Sequence, residues 1–112
     1  MNIFRKDPYQ PIVNFIDAAI ESKELIAWLI FLEEAPENLR WQHLANIKSQ
    51  MIQNNEDGEI IYIVELLDNK EILFAMNAVI NDVNESGMRA KKLLKSGDNS
   101  NFNLLISLIA AP

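Results

Sequence analysis

A chain of 112 residues that is 49% apolar, with only three glycines, four prolines and a net charge of −6, fits one domain with a single core and excludes low-complexity disorder. It has no cysteine, which excludes a disulfide framework, a thiol nucleophile and a thiolate metal site and agrees with a cytoplasmic setting. Acids are spread from Asp7 to Asp98, so the field disfavours nucleic-acid backbones and permits a basic protein partner.

Asp7-Pro8 reads as a helix start, and Pro11 still falls in the first turn, where a missing N–H costs little. Ile12, Val13, Phe15, Ile16, Ala19 and Ile20 then recur at helical spacing, against a polar side of Asn14, Asp17 and Glu21. No apolar segment precedes a small-residue cleavage site here, so no export signal is read. Ser22 can cap a second helix, and a break there is preferred over one helix running from Pro8 to Glu34.

That second helix carries the most unusual segment, Leu25-Ile26-Ala27-Trp28-Leu29-Ile30-Phe31-Leu32, closed by charge at both ends. A helix with no polar side must be covered all round. Either it forms the centre of the core or a partner covers part of it. It does not span a bilayer: the 13 residues from Ser22 to Glu34 reach about 20 Å as a helix, against about 30 Å of hydrocarbon.

Ala35-Pro36 ends this unit and Pro36 suits the start of the next helix, which runs to about Asn54. Trp41, Leu44, Ile47, Lys48 and Met51 mark its inward face, with Trp41 as an aromatic anchor. Asn54-Asn55-Glu56-Asp57-Gly58 is a turn. Residues 59–67 favour strand by propensity, through Ile60, Ile61, Tyr62, Ile63 and Val64. A strand needs a partner, which only Ile3-Phe4 or the Leu104–Ile109 region could supply, so helix is preferred and a lone strand or hairpin is the alternative.

Asp68-Asn69 caps a helix over Lys70–Glu85, whose apolar face is Ile72, Leu73, Ala75, Met76, Val79, Ile80 and Val83, stopped by Gly87. A short helix, Met88–Lys95, ends at Gly97; its Arg89, Lys91, Lys92 and Lys95 read as a solvated face with Leu93 and Leu94 turned inward. A last helix, Phe102–Ala110, is rich in Leu and Ile and must dock on the body or on another subunit. The expected fold is all-α: an irregular compact bundle of five to seven short helices in one domain over residues 1–112, with a radius of gyration near 13 Å.

Catalytic chemistry has little to draw on. His43 is the one histidine, and it sits at the border of an apolar helix face without a nearby serine or aspartate to form a triad. No phosphate-cradling glycine loop or zinc pattern is present. The remaining constellation is acidic: Glu33-Glu34-x-x-Glu37, then 27 residues, then Glu65-x-x-Asp68.

This pairing resembles the acidic motifs of the all-α nucleoside triphosphate pyrophosphohydrolases, where facing helices hold magnesium. The resemblance rests on Glu33, Glu34, Glu37, Glu65 and Asp68 alone and implies a magnesium-dependent hydrolase as the alternative function. Pro36 lies inside the first motif and departs from the pattern, because it prevents Glu33, Glu34 and Glu37 from sharing a helical face.

The leading expectation is therefore a non-enzymatic protein without cofactor, catalytic or metal residues, acting by association with another protein. Self-association is the preferred form, giving a homo-oligomer such as a homodimer. Shielding of a basic partner, immunity- or adaptor-like, is another, by compositional analogy with small acidic bacterial immunity proteins; a small-molecule sensor with an apolar pocket between the helices is a separate, third hypothesis. Trp28, Phe31, Leu32, Trp41, Leu105 and Leu108 are the expected interface residues, with core filling as the competing role for each aromatic. Nucleic acid and membrane are not expected partners.

Overall fold

The computed structural model describes residues 8–111. Among them run seven helices and no strand: α1 (Gln10–Ile20), α2 (Lys23–Glu34), α3 (Glu37–Gln53), α4 (Gly58–Leu66), α5 (Lys70–Ser86), α6 (Ala90–Ser96) and α7 (Ser100–Ala110). The radius of gyration is 14.2 Å and the extents are 39 × 36 × 29 Å. The fold is thus an all-α bundle, and no helix among the described residues is long and apolar enough to cross a membrane.

Local chemistry sets most helix ends. Ser22 Oγ accepts from the Leu25 amide at 3.1 Å, which starts α2 and separates it from α1. Ala35 and Pro36 are both extended, with ψ of 146° and 149°, so the proline splits α2 from α3. Asp57, Asn69 and Asn99 each place Oδ1 on a first-turn amide of α4, α5 and α7. Gly87 and Gly97 close α5 and α6 in the left-handed region, both at φ 71°.

Three starts differ from the sequence reading by two residues: α7 begins early, at Ser100 capped by Asn99 and ahead of the expected Phe102, whereas α1 and α6 start late. Helix α1 begins at Gln10, with Pro11 in its first turn; Pro8 lies in the preceding turn, and Asp7 lies outside the described residues. Helix α6 begins at Ala90, and its cap residue Arg89 gives no side-chain bond. The cap comes instead from α1: Asp17 Oδ1 accepts from the Ala90 amide at 2.9 Å, while Asp17 Oδ2 stands 3.6 Å from Arg89 Nε. A carboxylate 73 residues away in sequence does the work of a local cap.

Residues 59–66 are helical, with Leu67 as the C-cap of α4. Ile60, Ile63, Val64 and Leu67 fall on one helical stripe, of which Ile63, Val64 and Leu67 are buried. The Leu104–Ile109 region is itself part of a helix, and Ile3-Phe4 lies outside the described residues, so β-propensity finds no neighbouring strand to satisfy it.

The centre of the core is α5, not the all-apolar α2. Helix α5 buries all seven residues of its expected face and packs against α1, α2 and α7. Helix α2 buries only Leu29 and Leu32. Helix α3 is also rotated from expectation. Its inward stripe is Arg40, Leu44, Ile47 and Met51, spaced by four, three and four residues, and the expected anchor Trp41 is 54% exposed. Arg40 holds the inward place because one of its guanidinium nitrogens, Nη2, donates to the Asp68 carbonyl at 3.1 Å, just past the C-terminus of α4. That position also suits a cation on helix-dipole grounds.

Candidate functional site

Helix α2 needs twelve residues to cross the bundle and offers water an oily flank as it does so. Ile30 and Phe31 are 47% and 44% exposed, and Leu39, on the first turns of α3, is 45% exposed. His43 joins these elements. Its ring stands edge-on to Phe31 at 5.4 Å between centroids, and its Nε2 accepts the indole N–H of Trp28 at 2.9 Å. That bond places the imidazole hydrogen on Nδ1. Leu39 lies one turn from His43 on the same face of α3. Phe31 and Leu39 therefore flank a half-buried Trp28–His43 pair and make one apolar patch on the α2–α3 hairpin, while the exposed Ile30 lies about 200° around α2 from Trp28.

The margin of this patch is acidic. Glu34 follows Phe31 by one helical turn and Glu37 opens α3; both are exposed, and no basic residue occupies the last turn of α2. The nearest cation in sequence, Arg40, is only 1% exposed.

The six residues expected at an interface do not share a surface. Trp28 and Phe31 belong to the patch. Leu32 and Leu105 have no exposed surface and are core residues, so they have nothing to offer a partner. Trp41 leaves α3 on the flank facing α4, about 200° around the helix from His43, where it lines a groove with Leu44, Lys48 and Glu65. Leu108 is half-buried on α7, in a groove with Phe74 and Leu104 on the opposite part of the bundle. Leu39 belongs to the patch yet was not expected there; the four-residue step to His43 is the signal that marks it.

The five acids of the hydrolase pattern are likewise divided. Glu33 accepts from Asn77 Nδ2 on α5 at 2.8 Å, and Glu65 pairs with Lys48 at 2.6 Å. Glu34 is exposed and takes part in neither contact. Glu37, Glu65 and Asp68 do line one groove, together with Arg40 and Lys70, and Glu34 does not line it. No three acidic or histidine side chains among the described residues stand close enough to hold a metal ion together.

Behind the patch lies an apolar cleft of about 390 Å3. One face of α1 supplies Phe15 and Ala18, α2 supplies Trp28, α3 supplies Met51, and α4 with its C-cap supplies Val64 and Leu67. Asn14, Asp57 and Glu59 are its polar lining residues. The volume falls within the range of small-molecule pockets, about 300–1,000 Å3. Trp28 borders both features: its ring walls the cleft and its N–H is committed to His43.

No family model, no curated protein and no solved structure matches this chain. The functional reading therefore rests on the surfaces themselves.

Proposed function

We propose that this chain is a non-enzymatic, cytoplasmic protein-binding module that uses the α2–α3 patch to engage a basic protein. The observation that supports this reading most is the solvent exposure of Phe31 and Leu39 beside one aromatic pair, Trp28 and His43. Clustered apolar side chains ringed by charge are the usual make-up of an interaction surface, in which aromatic anchors contribute most of the affinity.

Charge decides between the two protein partners the composition allows. A symmetric pairing of two copies through the patch brings two acidic margins, each carrying Glu34 and Glu37, to one interface. Two like charges held about 4 Å apart oppose each other by roughly 4 kcal/mol at an effective dielectric of about 20. Lysine or arginine at the same places reverses the sign and speeds encounter. The acidic margin thus favours a basic partner over a second copy.

The test is capture from the native host with the wild-type chain and with a Phe31→Asp/Leu39→Asp variant. The expected result is a basic protein held by the wild type, weakened by added salt and lost in the variant, while the variant melts within about 2 °C of wild type because both sites are exposed. A partner retained by the variant refutes the assignment. A dimer at tens of micromolar that the variant dissolves assigns the patch to a second copy instead.

A further inference from the structure

We propose that the cleft between α1, α2 and α4 is a second binding site, for a cationic amphiphile: an aliphatic amine whose hydrocarbon body enters the cleft and whose ammonium group rests at Asp57. At roughly 30 Å3 for each non-hydrogen atom, 390 Å3 accommodates on the order of a dozen such atoms. This size suits a short alkyl chain or one ring with a short tail.

The walls set the chemistry of the body. Phe15, Ala18, Trp28, Met51, Val64 and Leu67 present hydrocarbon and a thioether. The one side-chain N–H among them, on the Trp28 indole, is already given to His43. A ligand acceptor placed against these apolar walls, away from Asn14 at the exposed rim, meets no free side-chain donor among the described residues, so burying it costs free energy without return. Met51 adds a flexible wall that adapts to chain shape.

The lining sets the chemistry of the head. Among the described residues no lysine, arginine or histidine lines the cleft, and its charged lining residues are Asp57 and Glu59. Asp57 is exposed at the N-cap of α4, with Oδ1 accepting the Glu59 amide at 2.9 Å. The helix N-terminus contributes about half a positive charge, which the full negative charge of Asp57 outweighs. The net field at the mouth therefore attracts a cation, in keeping with a chain whose total charge is −6. This site does not depend on the α2–α3 patch, and its test reads neither a protein partner nor assembly.

The experiment uses the full chain with Trp41→Phe, which leaves Trp28 as the single indole, and follows its emission while octylammonium, 1-octanol and octanoate are added at low salt below their micelle concentrations. Saturable binding of octylammonium is expected, about fivefold tighter than octanol, with octanoate weakest, as an exposed ion pair would produce. Asp57→Asn should bring ammonium and alcohol within about twofold of each other while leaving alcohol binding in place. Asparagine caps a helix as well as aspartate, so α4 is retained in that variant. Ala18→Phe, a change at an exposed position on the rim, should weaken all three probes. Octanol or octanoate binding as tightly as the amine, an amine preference untouched by Asp57→Asn, or no change in Trp28 emission up to about 1 mM would each overturn the proposal.

Discussion

Replacing Arg40 by methionine should make the protein more stable. The guanidinium is 1% exposed. Its Nη2 donates to the Asp68 carbonyl at 3.1 Å, while Nε and Nη1 are buried and meet no acceptor among the described residues. A hydrogen bond from a charged donor contributes about 1.5–3 kcal/mol, and each buried donor left unmatched costs about 1–3 kcal/mol. Two unmatched donors against one bond leave a net cost of about 1 kcal/mol or more, before the desolvation of the charge itself is added.

Methionine fills a similar length with apolar atoms among Leu44 and its neighbours, and the carbonyl it abandons belongs to an exposed residue that water can reach. Arg40→Met should therefore gain about 1–2 kcal/mol, or roughly 3–10 °C in Tm for a chain of this size. Arg40→Ala should lose stability instead, because it leaves a cavity. Urea and thermal unfolding of the three proteins, with m-values compared, measure both effects. An Arg40→Met variant that melts below wild type would show that the guanidinium is fully paired in solution and that the reasoning fails.

Three further outcomes follow from the geometry. Asp17→Ala removes the cap of α6 together with the Arg89 contact and should lower stability by about 1 kcal/mol, with Asp17→Asn recovering most of the loss; equal melting of all three would refute a capping role. A double-mutant cycle of Trp28→Phe and His43→Ala should give a coupling of about 0.5–1.5 kcal/mol for the indole–imidazole bond, and a coupling of zero would remove it from the description of the patch. Magnesium at 10 mM, on the order of typical assay excess, should leave Tm unchanged, because the acids of the hydrolase pattern do not gather into a common set of ligands; a rise of several degrees that Glu65→Gln or Asp68→Asn abolishes would revive that reading.

Much of the chain could be read from neighbouring residues alone, because a helix end is a local event. Ser22 and Asn69 cap within three residues of themselves, Pro36 bars the helical conformation at Ala35, and Gly87 and Gly97 take up the left-handed turn that other residues resist. The buried face of α5 was equally legible, since seven apolar residues at one helical spacing admit one inward orientation. The stripe Ile60, Ile63, Val64 and Leu67 likewise made 59–66 helical despite its β-branched content.

What tertiary packing alone decided is how each helix turns about its axis and which neighbours cover it. Helix α2 has no polar side, so its sequence named no inward direction; the position of α5 chose Leu29 and Leu32 and left Ile30 and Phe31 in water. Helix α3 turned Arg40 inward and Trp41 outward because a carbonyl at the end of α4 happened to lie within reach of the guanidinium. The Asp17 cap, the Trp28–His43 bond and the cleft shared by α1, α2 and α4 have the same origin. Each joins residues distant along the chain, and spacing along a sequence carries no information about partners that meet only when helices pack.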